Sequence, residues 1–234
     1  MSTKEIAIAA ADQGSFSAYL ATPPSGTGPG LVIIQEIFGV NEVMRHIADR
    51  YAAAGYVAVV PDLFWRQEPG IQLTDRTDED WKRAFELYQG FDVDKGITDL
   101  NSTLQTLRHL PSCNGRVGSV GFCLGGLLAY LMATRTDTDC SVSYYGVSID
   151  QYLAEAANIH QPLMLHLAEK DQFVSPEAQA TIRQALDGHE QVTLHSYGGV
   201  DHAFARFGGQ TYDDAAATLA NGRTEEFLRS HLKG

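Results

Sequence analysis

Two periodicities alternate along the 234 residues. Apolar positions recur every second residue in Lys4-Glu5-Ile6-Ala7-Ile8-Ala9 and in Ser15-Phe16-Ser17-Ala18-Tyr19-Leu20-Ala21, on either side of Asp12-Gln13-Gly14. That alternation predicts two half-buried strands joined as an antiparallel hairpin. Thr22 to Gly30, rich in Pro, Gly and Ser, reads as a loop. The next run, Leu31-Val32-Ile33-Ile34-Gln35, is apolar without alternation, as in a strand covered on both faces. The period then changes to that of a helix, with Asn41 as N-cap, Val43, Ile47 and Tyr51 on one face and Gly55 just past the end.

The alternation of strand and helix continues. Tyr56-Val57-Ala58-Val59-Val60 predicts a strand stopped by Pro61-Asp62, and residues 62 to 76 a loop long enough to cover a pocket. Helices are expected at about 77 to 90 and 93 to 109, the second from Ile97, Leu100, Leu104 and Leu107. Strand-like runs follow at Val117–Val120, Cys140–Tyr145, Pro162–Leu167 and Val192–Tyr197. Between them fall a helix after Cys123, a short one near 150 to 157, and one from Pro176 with Ser175 as N-cap; a last helix covers roughly 211 to 231. Strands alternating with helices imply an α/β fold with a mostly parallel central sheet and helices on both faces. No repeat, low-complexity stretch or shift in composition marks a boundary, so one domain over 1–234 is expected. Ligands in such sheets bind beyond the carboxyl ends of the strands. The segments ending at Glu36, Asp62, Cys123, Tyr145, Asp171 and His202 would open there.

Composition narrows the classes. No apolar run approaches the roughly 20 residues that a membrane helix needs, and the first residues, Met1-Ser2-Thr3-Lys4-Glu5-Ile6, lack the apolar stretch of a secretion signal. Three cysteines without paired spacing argue against a disulfide framework and suit a reducing compartment, so the cytoplasm is expected. A formal charge of −12 without a basic cluster disfavours nucleic acid and anionic membrane as partners. It leaves room for a small anionic substrate, because salt screens the global field beyond about 8 Å and one arginine can dominate a pocket. No apolar surface stripe stands out, which makes a monomer the expectation. No H-E-x-x-H or similar ligand spacing occurs, so no metal and no cofactor is expected.

The chemistry concentrates at Gly121-Phe122-Cys123-Leu124-Gly125-Gly126. A side chain on a sharp strand-to-helix turn is lifted clear of the sheet, and the following backbone N–H groups can face a developing oxyanion. The glycines at 121 and 125 allow strand and helix to touch. A thiol nucleophile there needs a base and a group to orient the base. In α/β-hydrolases the chain order is nucleophile, acid, histidine, and Cys123, Asp171 and His202 reproduce it. Asp150 and Asp201 compete with Asp171, and a buried structural cysteine is the plainer reading of Cys123. The remaining histidines fit less well: His46, His109 and His231 sit in helical patterns, His189 in a turn, His160 before a strand, and His166 and His195 within strands. Glu36, at the end of the apolar run, would oppose ionisation of a neighbouring thiol by like-charge repulsion and accept its S–H. Arg206, four residues after His202, is the nearest cation in sequence that could grip a carboxylate.

Together Gln35-Glu36-Ile37-Phe38-Gly39-Val40-Asn41, Pro61-Asp62-Leu63, the turn at 121–126, Tyr144-Tyr145-Gly146-Val147, Asp171-Gln172-Phe173-Val174 and Asp201-His202-Ala203-Phe204-Ala205-Arg206 resemble the dienelactone hydrolases, from about residue 5 to residue 230. The resemblance implies a triad of Cys123, Asp171 and His202 with Glu36 controlling the thiol. It implies an oxyanion hole from the N–H groups of Ile37 and Leu124. It also implies a substrate carboxylate on Arg206, with Tyr145, Phe173, Phe38 and Trp81 around the substrate. The implied activity is opening of an enol-lactone, dienelactone to maleylacetate, in chlorocatechol degradation. General carboxylesterase activity and a non-catalytic thiol sensor are the competing readings. The family's pattern has a second arginine and a tyrosine near residues 79 to 86. This chain reads Asp80-Trp81-Lys82-Arg83-Ala84-Phe85 there, which leaves Lys82 or Arg83 as the substitute.

Overall fold

The computed structural model describes residues 1–233. The contacts divide the chain into two compact units, Met1–Ser119 and the residues from Val120 onward.

In the first unit, β1 (Ser2–Ala9) pairs antiparallel with β2 (Ser15–Thr22), in register from Ser2 opposite Thr22 to Ala9 opposite Ser15. β2 pairs antiparallel with β4 (Val57–Pro61), which runs parallel to β3 (Gly28–Ile34). The order is β1-β2-β4-β3, followed by β5 (Cys113–Phe122). Leu31 to Ile34 are wholly buried, as their unbroken apolarity demands. The strand starts at Gly28, inside the stretch expected to be loop. Its glycines serve close approach: a Cβ on Gly28 would stand 2.1 Å from the Gly55 carbonyl oxygen, and one on Gly30 2.8 Å from Leu107. α1 (Glu42–Ala53) joins β3 to β4 and is capped by Asn41, whose Oδ1 accepts from the Met44 N–H at 3.1 Å.

α2 (Asp78–Gln89) and α3 (Val93–Arg108) fall within a residue of their expected ends. The segment before α2 is folded back on itself at its start. Asp62 accepts from the N–H groups of Phe64 and Gly70, while Trp65 Nε1 and Arg66 Nε donate to the buried Asp99 of α3 at 2.8 and 2.9 Å.

The second unit takes in the end of β5 and orders it as β5-β6-β7-β8, with β6 (Cys140–Tyr144), β7 (Leu163–Ala168) and β8 (Val192–Tyr197) all parallel. α4 (Leu124–Arg135) is buried from Leu124 through Thr134 and has no polar face, which is why its sequence shows no helical alternation. The short element after β6 is a 3₁₀ helix, Ile149–Asn158. α5 (Pro176–Leu186) starts on Ser175 as expected. α6 (Asp214–Leu232) starts three residues later than its apolar pattern suggests, because Asp213 caps it through the Ala216 N–H. Among the described residues no helix is long and apolar enough to cross a membrane.

Candidate active site

Cys123 stands between β5 and α4 with φ 57° and ψ −114°, a backbone conformation that side chains rarely adopt. Packing over-determines it. A Cβ on Gly121 would lie 1.8 Å from the Gly125 carbonyl oxygen, and one on Gly126 2.6 Å from that of Tyr144. The Cys123 N–H donates to Tyr144 O at 3.1 Å, and Cys123 O accepts from the N–H groups of Gly126 and Leu127. The thiol, half-buried, therefore sits at the N-terminus of a buried helix, where unspent N–H groups and the helix dipole favour negative charge. Leu124 is the first residue of that helix.

Asp171 follows β7 and His202 follows β8. The loops bearing them are stitched together by backbone bonds from Glu169 N to Tyr197 O and from Lys170 N to Val200 O, each 3.0 Å. His202 Nδ1 lies 2.9 Å from Asp171 Oδ2 and 3.0 Å from Oδ1. Asp171 Oδ1 also accepts from the N–H groups of Phe173 and Val174, so the carboxylate is aimed by its own loop. Asp201 is spent differently: its carboxylate accepts from the N–H groups of Gln172 and His202. Asp150 lies in the first turn of the 3₁₀ helix. Of the three aspartates weighed from sequence, Asp171 is the one on the imidazole.

The His202 ring is 6% exposed and held edge-on by two aromatic rings, Tyr145 at 5.0 Å and Phe173 at 4.9 Å between centroids. Nε2 makes no closed hydrogen bond, but the Cys123 sulfur is near enough to act on the ring by charge and hydrogen bonding. Burial opposes a charge on this imidazole, yet the Cys123 charge and the bond to Asp171 outweigh it and raise His202 from 6.5 to about 10. A group whose pKa is raised on folding contributes stability that is complete below its unfolded value and is lost as pH climbs through the folded one. The stability difference between the wild type and His202→Asn, measured by urea unfolding, is therefore expected to be full below about pH 6.5 and to shrink toward about pH 10. A difference that widens over that window contradicts this charge pairing.

Arg206 is 8% exposed in the same loop, its N–H donating to Ala203 O and its carbonyl accepting from Gly209 N. A Cβ on Gly209 would come within 2.9 Å of Arg206 Nε, so the glycine leaves room for the guanidinium. Phe173 is 43% exposed on one edge of the His202 ring, and Tyr145, fully buried, holds φ 38°. Glu36, Ile37 and Phe38 are all buried just past β3. Phe38 meets Trp81 edge-on at 5.0 Å, and Trp81 stacks on Phe85 at 5.6 Å. Of the two cations expected to substitute there, Arg83 is engaged by Glu68 and Glu86, and Lys82 is exposed. Sequence reasoning passed over Asp201 as a stitch between loops and Phe204 as their buried anchor; an acid directly before the histidine was the available signal for the first.

A strained thiol turn between strand and helix, followed by an acid and a histidine at the ends of later parallel strands, defines an α/β-hydrolase. Solved structures agree on the fold: a dienelactone hydrolase from Anabaena variabilis superposes with TM-score 0.72 at 18% identity, covering 99% of this chain and 98% of its own. The chain belongs to the dienelactone hydrolase family, which it matches over residues 16–232. A relative from Azospirillum brasilense is 53% identical over 97% of this chain and 99% of its own. Carboxymethylenebutenolidase 1 of Cupriavidus pinatubonensis is 39% identical over 95% of each, and the carboxymethylenebutenolidase of Pseudomonas putida 37% over 97% of each.

Proposed function

We propose that the protein hydrolyses the enol-lactone ring of dienelactone, chlorinated or not, to maleylacetate through a thioacyl intermediate on Cys123, as a step of chlorocatechol degradation. The observation that supports this most is the buried His202 ring, bonded to Asp171 on one nitrogen and raised by the Cys123 charge on the other side. The Cys123 sulfur forms a bond to the lactone carbonyl carbon. The tetrahedral oxyanion is received by the N–H of Leu124 and, following the family resemblance, that of Ile37. Collapse breaks the ring C–O bond and expels an enolate. Sulfur suits this leaving group, since from a tetrahedral centre thiolate departs before an ordinary alkoxide but competes poorly with a stabilised enolate.

Acylation also removes the sulfur charge that raises His202, leaving only the bond to Asp171 against the lowering effect of burial. The imidazolium then yields its proton to the enolate and becomes the base that takes a proton from water. Water adds to the thioester, the C–S bond breaks, and the proton returns to the Cys123–His202 pair. The balance is lactone plus water to the open acid. Arg206 holds the substrate carboxylate, with Tyr145 and Phe173 beside the His202 loop; following the family resemblance, Phe38 and Trp81 are the further apolar residues for the substrate. Following the family resemblance, Glu36 is the residue that controls the protonation of the sulfur. Three free cysteines suit a reducing cytoplasm, and the reading is of a monomer that needs no metal or cofactor.

The test is a comparison of kcat/KM on cis- and trans-dienelactone with that on p-nitrophenyl acetate. The expected preference for a lactone is at least about tenfold, a barrier difference of about 1.4 kcal/mol. Arg206→Gln is expected to raise KM for the lactone about tenfold or more, the worth of a charge-assisted hydrogen bond, while the uncharged ester loses far less. A preference for p-nitrophenyl acetate would make the protein a general carboxylesterase.

A further inference from the structure

A second buried histidine, unused by the chemistry above, closes a hydrogen-bond chain behind the site. His166 of β7 is wholly buried. Its Nδ1 lies 2.7 Å from Tyr197 Oη and its Nε2 2.9 Å from Thr224 Oγ1. At one end Arg223 donates to Tyr197 Oη at 3.2 Å; at the other Thr224 Oγ1 lies 2.7 Å from Tyr144 Oη, which donates to Asn221 Oδ1 at 3.1 Å. The ends force the direction of every bond between them. A guanidinium can only donate and a carboxamide oxygen can only accept. Tyr144 spends its proton on Asn221, so Thr224 donates to Tyr144 and must accept from His166 Nε2–H. Tyr197, accepting from Arg223, donates to a bare Nδ1. His166 is thereby held neutral with its proton on Nε2.

The inner members of the chain touch the residues that carry the site. Tyr144 O accepts from the Cys123 N–H, and the Tyr144 ring stacks on Phe122 at 4.9 Å. His166 O accepts from the N–H of Tyr145 at 2.8 Å, and the Tyr145 ring bears on His202. Tyr197 packs at 4.9 Å on Phe204, two residues beyond His202. We propose that His166, as the Nε2–H tautomer, is a positioning residue whose chain from Arg223 to Asn221 sets the Cys123 turn and the His202 loop at their working separation.

This rests on Cys123 and His202 being the reacting pair, but not on the lactone as substrate. Readouts that need no lactone test it. In the wild type, ¹⁵N shifts of His166 are expected to show protonated Nε2 and bare Nδ1 from pH 5 to 9; the opposite tautomer, or titration in that range, would overturn the chain. The groups facing this ring are His195, stacked at 5.8 Å, Tyr144, Tyr197 and, through Tyr197, Arg223. Tyr197→Phe removes one hydroxyl and keeps the ring on Phe204. Its expected effect is a fall in the rate of Cys123 alkylation by iodoacetamide, and a fall in kcat of about tenfold to a hundredfold on whichever ester is turned over, with KM nearly unchanged. A folded Tyr197→Phe protein with wild-type alkylation and kcat would reduce the chain to scaffolding. His166→Gln, which keeps a donor toward Thr224, is expected to recover more kcat than His166→Leu at matched thermal stability; equal losses would count against the proposal.

Discussion

Replacing Cys123 with alanine is expected to abolish ester turnover, by at least about 10⁴-fold in kcat, while the protein remains folded. Alanine keeps a Cβ, so the strained backbone is held by the same contacts: the N–H bond to Tyr144 O, the carbonyl accepting from Gly126 and Leu127, and the close approach of Gly121 to Gly125. What disappears is the atom that bonds to carbon and the charge that raises His202. With burial still opposing protonation, the His202 pKa is expected to fall in Cys123→Ala, visible as a shift of its imidazole titration by NMR. The two outcomes together separate a nucleophile from a bystander thiol. Retained turnover, or an unchanged histidine titration, would remove Cys123 from the reaction. Serine is not a conservative replacement either, since the alkoxide would have to form next to an imidazole tuned to a sulfur charge, and turnover is expected to stay far below wild type.

Much of this site was legible because steric necessity leaves marks in sequence. Gly121 stands where a Cβ cannot, Asn41 and Ser175 stand where a helix N-terminus needs an acceptor, and unbroken apolar runs mark strands covered on both sides. Elements whose composition reports something other than burial were misread at their ends. Cys113-Asn114-Gly115-Arg116 is the first part of β5 but is largely exposed, so it shows no apolar signal before Val117. Gly28-Pro29-Gly30 looks like loop and is strand. The choice of Asp171 over Asp201 turned on which carboxylate its own loop leaves pointing at the ring, a matter of local hydrogen bonds rather than residue type. The chain through His166 was invisible, because Thr224 lies 58 residues from its histidine partner and each member taken alone is an ordinary strand or helix residue.

Converting Asp171 to asparagine is expected to lower kcat by about 10³- to 10⁴-fold with little loss of stability. Asparagine keeps an oxygen that can accept from the N–H groups of Phe173 and Val174, so the loop before α5 retains its shape. The other carboxylate oxygen becomes an amide nitrogen, and a nitrogen facing Nδ1 can only donate. That favours the ring tautomer with its proton on Nε2, toward the sulfur, where it cannot accept the thiol proton or take one from water, against the weaker pull of the remaining Oδ1 at 3.0 Å. The negative charge that supports the imidazolium is lost as well, which lowers His202 and widens the gap between the resting pair and its working form. The loss is expected in kcat, with KM for the lactone within about threefold of wild type, because Asp171 bonds to the base and not to the substrate. Asp201 cannot take over, being held by the N–H groups of Gln172 and His202. Activity near wild type in Asp171→Asn would mean that the histidine is oriented by something else, and Asp201→Asn should then show the larger defect.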